Sequence, residues 1–261
     1  VLDPAGIVVN RRVNRIFINR ETYMMQPADR CALEAALRIQ DSVGAEVVAF
    51  PRTVLPDDDV LRQALAMGAD RAIGLIDGDG AASADTGVTV RLIQAAIERL
   101  GGADLVLAGA ATLDTGQQQL GSRLAEALGW PQISEAWRVD VAAGRVRAVR
   151  QAAGSAAGGD AGFTLWAADL PAVVTVVAGA LKPRYPDGVR LINVYRGVGE
   201  IGARLELWAV SDLVLADALA PLLELRGQAF PPERERGVRA AGSPEEMAQT
   251  AAAALAQRIR R

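Results

Sequence analysis

The apolar positions of this chain change their spacing repeatedly, and the changes predict a succession of strands and helices. Short continuous apolar runs are typical of buried strands, whereas apolar residues repeated every three to four positions indicate helices. The strands predicted in the first half are residues 7–9, 15–18, 46–50, 71–76 and 105–108. The predicted helices are residues 27–39, 60–67, 87–100 and about 117–128. This alternation favours an α/β fold with a doubly wound, mostly parallel sheet.

The second half begins with strands that follow one another directly. The predicted strands are residues 133–141, 145–149, 165–168 and 172–178, and one or two short helices are predicted in 211–225. Residues 228–239 are charged and lack an apolar period, so we expect an extended arm. A capping box at 243–246, with proline at the first helical position, opens a last helix that ends near Arg260. We expect residues 1–225 to form one domain and 226–261 to form an arm and helix that dock on a partner subunit.

The segment that organises the chain is the turn between the strand at 105–108 and the following helix. It begins at Gly109 and runs through small and polar residues to Leu120. The unpaired N–H groups at a helix start, together with the helix dipole, favour an anionic ligand such as a phosphate. The glycine spacing matches neither the dinucleotide fingerprint nor a P-loop. From the residues alone, a phosphate site and an ordinary strand-to-helix connection both stay open.

Composition excludes several kinds of chemistry. The 261 residues include no histidine, which removes imidazole bases, Ser-His-Asp triads and His-ligated zinc. The single cysteine, Cys31, excludes an intrachain disulfide, and its place in a helical apolar pattern predicts a core residue. A net charge of −3 with interspersed signs indicates no nucleic-acid partner. The longest apolar run is too short to cross a bilayer, so we expect a cytoplasmic protein without membrane insertion.

Two acidic stretches have the composition of metal sites, but neither predicts one. Asp57, Asp58 and Asp59 are adjacent at the start of a predicted helix, where the helix dipole favours them and capping is the simpler role. Residues 77–85 lack the closing glutamate of a calcium loop. We therefore expect no metal site.

Five stretches together resemble the β subunit of electron-transfer flavoproteins, a family that includes FixA-like members. They are Gln26 to Asp29 leading into CALEAALRI, LRQALAMGADRAI at 61–73, the segment 104–132, LPAVVTV at 170–176 and KPRYP at 182–186. They occur in the family's order and at family-like spacing between about residues 25 and 240. The combination is far more specific than any one of these motifs.

The resemblance implies a Rossmann-like, HUP-like subunit that binds an adenine nucleotide and has no catalytic side chain. It implies a heterodimer with an α subunit that carries the redox-active FAD. Electrons would pass from flavin dehydrogenases of the acyl-CoA dehydrogenase type to a quinone reductase or another acceptor. The β site would hold AMP, or a second FAD in the bifurcating and nitrogen-fixation-type members that oxidise NADH.

The family match also implies which positions hold the nucleotide, with the phosphates on backbone N–H groups near Gly116 to Gln118. The text from Gln118 to Gly121 resembles the nitrogen-fixation-type branch slightly more than the AMP branch. The implied cofactor-binding residues are Gln26, Pro27, Ala28, Asp29, Arg52, Gly109, Ala110, Ala111, Thr112, Leu113, Asp114, Thr115, Gly116, Gln117, Gln118, Gln119 and Leu120.

The proline-rich turn matches the family's partner-docking loop. The implied docking residues are Ala180, Leu181, Lys182, Pro183, Arg184 and Tyr185. We expect Arg184 and Tyr185 to contact the partner and Leu181 to serve as its apolar anchor. The family's apolar anchor and the Asn-Glu after it are replaced here by Ala180, Leu181 and Lys182, and its lysine-rich stretch after PRYP is replaced by residues 189–196. These departures leave a dedicated dehydrogenase or a membrane quinone reductase as alternative partners.

Two further departures bear on the function. The family's opening strand, which is expected at the centre of the sheet with its tip on the adenosine, is not among these residues. The acidic-glycine motif before the strand at 172–178 is replaced by an Ala/Gly run at 152–162. A stand-alone nucleotide-binding protein of the universal-stress type is the alternative from another class, and the long C-terminal arm argues against it.

Overall fold

The computed structural model describes residues 1–13, 15–51, 58–76, 85–152, 162–197, 204–214, 216–223 and 239–259. Its helices are α1 Pro27–Val43, α2 Asp59–Met67, α3 Thr86–Arg99, α4 Leu120–Leu128, α5 Gly188–Arg196 and α6 Pro244–Ile259. Its strands are β1 Ile7–Asn10, β2 Arg15–Ile18, β3 Val48–Ala49, β4 Arg71–Ile76, β5 Leu105–Gly109, β6 Gln132–Ala142, β7 Arg145–Gln151, β8 Phe163–Asp169, β9 Ala172–Val176 and β10 Leu205–Ala209. Contacts divide the chain into two units, Val1–Glu224 and Leu225–Arg261.

The described strands form three sheets. One has the order β5–β9–β6–β7–β8, in which β5, β9 and β6 are parallel and β7 and β8 are antiparallel additions. A second has the parallel order β10–β4–β3, and β1 pairs with β2 in a separate antiparallel hairpin. The predicted α/β fold with mostly parallel pairing is confirmed, although the parallel strands are divided between two sheets.

Helix α1 packs against both of these parallel sheets. Cys31 and Ala35 belong to a buried cluster with Val174 of β9. The fully buried Leu37 belongs to another cluster with Val47, which precedes β3. The core position predicted for Cys31 is thus confirmed, and α1 joins the two sheets through different faces.

The ends of α1 follow from its sequence. Pro27 occupies the first helical turn, where a missing N–H and a fixed φ favour helix initiation. Gly44 closes the helix in the left-handed conformation with φ of 75°, and its N–H donates to the Gln40 carbonyl. These local signals explain why this helix was predicted from its first residue.

The structure corrects two predictions near β3 and α2. The strand predicted at 46–50 is confined to Val48–Ala49, which pairs with β4 alone among the described strands. Asp58 does not cap α2 through its side chain; its carboxylate instead binds the Arg62 guanidinium at 2.7 Å. Asp57 and residues 77–84 lie outside the described residues. Within the described part of the chain, no group of three or more His, Cys, Asp or Glu residues could hold a metal ion.

The C-terminal unit contains the predicted capping box. The Ser243 N–H donates to Glu246 Oε2 at 2.8 Å, and the Glu246 N–H donates to Ser243 Oγ at 3.3 Å. Helix α6 therefore starts where its sequence predicts. Most of the predicted arm, residues 228–238, lies outside the described residues. None of the described helices combines the length and apolarity that a membrane crossing requires.

Candidate functional site

The first turn of α1 is hydrogen-bonded to the end of β5 and the loop after it. The Gly109 N–H donates to Asp29 Oδ1 at 2.9 Å. Gln26 Nε2 donates to Asp29 Oδ2 at 2.6 Å, and Gln26 Oε1 accepts from the Leu113 N–H at 2.9 Å. We call these three bonds the Gln26–Asp29 bracket. Because Gln26 is only 7% exposed, its amide is held among protein groups rather than in water.

Gly109 is required by the close approach of α1. A Cβ atom at this position would collide with Asp29 Oδ1 and would lie only 2.9 Å from the Ala28 Cβ. The next residue, Ala110, is buried, and its N–H donates to the Val176 carbonyl at the end of β9. Glycine and alanine at these two positions let the first turn of α1 pack against the end of β5, while β5 stays paired with β9.

The loop after β5 is closed on itself by Thr112. Its carbonyl accepts from the Gly116 N–H at 3.0 Å, and its Oγ1 accepts from the Gln117 N–H at 3.1 Å. Gly116 has φ of 66°, a left-handed conformation that does not continue into a helix. Helix α4 therefore begins at Leu120, three residues after the predicted start near Gln117. Two of the N–H groups expected to hold phosphate are used within the loop instead.

The first turn of α4 is the better candidate for an anion. Gln119 precedes this helix and makes no side-chain cap hydrogen bond, so the first N–H groups keep the vacancy that all helix starts have. A Cβ atom on Gly121 would collide with Thr175 Cγ2 of β9, so glycine allows the helix start to reach the sheet. Thr86 at the start of α3 donates through Oγ1 to Gln117 Oε1 at 3.2 Å and ties the loop from the other side.

The structure thus brings together most of the positions that the sequence predicted for the nucleotide. Residues 26–29 meet the loop 109–113, and the exposed residues 114–119 lead into α4. Arg52 lies outside the described residues. Sequence reasoning missed Thr86 and Thr175, whose contacts are long-range. A glycine just inside a helix, here Gly121, is the one signal of close packing that the sequence offered.

The comparison with protein families covers this whole site. Residues 15–196 match the family described as the electron transfer flavoprotein domain. The chain belongs to the electron transfer flavoprotein domain family. The matched segment contains the Gln26–Asp29 bracket, the loop after β5 and the proline-rich turn after β9. The family expected from the motifs is confirmed.

Three curated relatives illustrate the range of similarity. The chain is 31% identical over 172 residues to the electron transfer flavoprotein subunit beta of Thermoanaerobacterium thermosaccharolyticum, covering 66% of this chain and 63% of that protein. It is 33% identical over 224 residues to Protein FixA of Azorhizobium caulinodans, covering 83% and 75%. It is 28% identical over 225 residues to the caffeyl-CoA reductase-Etf complex subunit CarD of Acetobacterium woodii, covering 84% and 80%.

The predicted docking loop of this family member is held on α1. The Leu181 carbonyl accepts from Cys31 Sγ at 3.4 Å, and Leu181 packs partly on the cluster that contains Cys31. The Arg184 N–H and its Nε both reach Glu34 Oε2 at 3.0 Å, and its Nη2 lies 2.8 Å from Asp41 Oδ2. Arg184 thus stabilises the loop internally, whereas the neighbouring Tyr185 is 83% exposed.

Glu34 is the buried acceptor of this contact. Burial by itself would favour the neutral carboxyl, but hydrogen bonds from Arg184 and Arg38 outweigh it and hold the pKa of Glu34 below the ordinary 4.5. The folded protein then binds a proton at Glu34 less readily than the unfolded chain does. The resulting stabilisation is complete well above pH 4.5 and is lost as the pH falls through the lowered pKa.

Replacing Glu34 tests this contact. We expect Glu34→Gln to unfold more readily than the parent chain at pH 7, and we expect the gap in free energy of unfolding to narrow steadily towards pH 3. Urea denaturation across that range measures it. Glu126→Gln, on the exposed side of α4, is the matched control. If the difference in free energy of unfolding between the parent and Glu34→Gln stayed constant with pH, the charge interaction of Glu34 with Arg184 and Arg38 would be contradicted.

Proposed function

We propose that this chain is the β-type subunit of an electron-transfer flavoprotein heterodimer, whose α subunit holds the redox FAD. In this proposal the complex passes electrons from a flavin dehydrogenase to a quinone reductase or another acceptor. The observation that carries it is the Gln26–Asp29 bracket, which shapes a nucleotide loop inside the segment that matches the family. The family match favours this role over a stand-alone universal-stress-type protein.

The β site is proposed to hold AMP or a second FAD. Its residues fit the phosphate that the two ligands share, because Gly109 and Gly121 let α1 and α4 pack closely on the sheet and so place the start of α4 beside the end of β5. The first N–H groups of α4 suit that phosphate, and the apolar end of β5 would flank the adenine. A flavin there would supply electron transfer, whereas this chain would bind and orient it.

A bifurcating complex, in which the β site holds FAD and NADH is oxidised, is the second candidate. It is supported by the similarity to FixA and to the subunit of a caffeyl-CoA reductase-Etf complex. The exposed Gln118 and Gln119 at the start of α4 are the residues of this chain that resemble the nitrogen-fixation-type branch.

Ligand counting decides between these functions. The complex is purified from its native source through this chain, and the released ligands are identified by mass spectrometry and counted by absorbance. One FAD and one AMP per heterodimer support the first proposal, whereas two FAD and no AMP support the bifurcating form. A homodimer without a flavin-bearing partner would contradict both.

A paired substitution tests whether the Gln26–Asp29 bracket supports nucleotide binding. Asp29→Asn places two amide donors face to face, and Gln26→Glu places two carboxylates face to face, so each single change breaks the bracket. We expect each to weaken AMP binding about tenfold or more, since an unpaired buried polar group costs about 1–3 kcal/mol. The double change restores donor–acceptor matching and the net charge, so its affinity should return to within about threefold of the parent.

Calorimetric titration of the nucleotide-free heterodimer with AMP measures the affinity of the parent, of the two single variants and of the double variant. Unfolding midpoints recorded for the same four proteins separate binding from stability. Glu126→Gln serves as the control for a lost carboxylate. A double variant as weak as either single variant would exclude the bracket as the cause, even where AMP binding itself is confirmed.

The docking role is tested at Tyr185. Truncating an aromatic hot spot costs a protein interface about 2 kcal/mol, so Tyr185→Ala should lower kcat/KM for the dehydrogenase partner roughly thirtyfold. Flavin content should not change. We expect Leu181→Ala to slow electron transfer similarly, but its partial burial makes it the less clean probe. The control is Val43→Ala, at an exposed apolar position on α1, which should leave kcat/KM unaltered. Loss of flavin from the Tyr185→Ala complex would argue against a docking role for Tyr185.

A further inference from the structure

The hairpin formed by β1 and β2 carries apolar side chains on both of its faces. Val8 pairs with Phe17 and Val9 pairs with Ile16, and cross-strand partners share a face. Val8 and Phe17 are 44% and 42% exposed, and on the opposite face Val9 and Ile16 are 50% and 49% exposed. On both faces these apolar side chains therefore remain about half exposed in the part of the chain that the structure describes.

This hairpin has little support of its own. Among the described strands, β1 and β2 pair only with each other. Its base is held by backbone bonds, in which the Asp3 N–H donates to the Thr22 carbonyl and the Met24 N–H donates to the Val1 carbonyl, both at 2.8 Å. Since an isolated two-stranded hairpin is marginal in water and monomers rarely expose contiguous apolar surface, another molecule is expected to cover it.

The charges of the hairpin indicate the chemistry of the surface that covers it. Residues 7–20 contain Arg11, Arg12, Arg15 and Arg20 and no acidic residue, in a chain whose net charge is −3. The complementary surface is therefore apolar with carboxylates at its border. The arginines at the tip oppose insertion into a bilayer, and a hairpin lying flat on lipid would cover only one face. A protein cleft covers both.

We propose that the β1–β2 hairpin inserts into an apolar cleft, bordered by carboxylates, on the flavin-bearing partner subunit. This inference rests on the proposed function, which supplies a permanent partner. Permanent interfaces resemble a divided protein core, and two apolar faces on one hairpin require cover throughout the life of the chain. A transient electron donor would leave them in water between encounters.

Substitutions on each face and at the tip test the insertion. The full heterodimer is prepared with Val8→Ser/Phe17→Ser, with Val9→Ser/Ile16→Ser, or with Arg11→Glu/Arg12→Glu. We expect each pair to raise the heterodimer Kd at least tenfold, measured by dissociation on dilution. The tip variant should lose most at low salt, because salt screens exposed charges. The matched control, Arg11→Lys/Arg12→Lys, should have a heterodimer Kd within about threefold of the parent. If the serine variants misfold, the comparison of the glutamate pair with this lysine pair still tests the proposal. Val43→Ser is the exposed apolar control.

The outcomes separate this inference from the proposed function. A parent heterodimer whose affinity survives every hairpin variant overturns the inference and leaves the proposed function standing. Parent protein that never assembles with a flavin subunit overturns the proposed function. The inference also fails if the hairpin variants instead abolish self-association of this chain, or its binding to vesicles of phosphatidylserine and phosphatidylcholine, with heterodimer affinity unaltered.

Discussion

The contact between the first turn of α1 and the end of β5 is the constraint on which the site depends. Asp29 and Gln26 each accept one hydrogen bond from the strand end or its loop, and a third bond joins the two side chains, at distances between 2.6 and 2.9 Å. Such an approach is possible only because Gly109 lacks a side chain. In a partly buried setting each of these groups needs its partner, since an unmade bond there costs more than a made bond contributes. The residue types at all of these positions are therefore tightly restricted.

The same helix supports the docking loop and joins the two sheets. Two residues after Asp29, Cys31 donates to the Leu181 carbonyl. Glu34 then accepts hydrogen bonds from the backbone N–H and the side chain of Arg184. Further along, Leu37 lies in a buried cluster with Ala64 and Met67 of α2, against which Ala49 of β3 packs. The loop proposed for the nucleotide and the loop proposed for the electron-transfer partner are thus positioned by one rigid element. Their separation is set by helix geometry rather than by flexible connections.

The distribution of exposed apolar surface agrees with a chain that works inside a complex. The apolar side chains of the β1–β2 hairpin are about half exposed on both faces, Tyr185 of the docking loop is 83% exposed, and Leu255 of α6 is 61% exposed within the second unit. Surfaces of this kind are stabilised by burial against other chains. The polar groups of the Gln26–Asp29 bracket instead bind one another and the β5 loop, which suits them to positioning that loop.

The sequence by itself determined the features that depend on neighbouring residues. Proline at the start of α1, glycine at its end and the capping box of α6 act within one helical turn, and the family motifs are contiguous text. The tertiary structure alone decided what depends on distant partners. Arg184 is turned inward by Glu34, 150 residues away, and Asp29 meets Gly109 across 80 residues. The short β3 and the isolation of the hairpin have the same origin, because each depends on which strand lies alongside. No local period records that information.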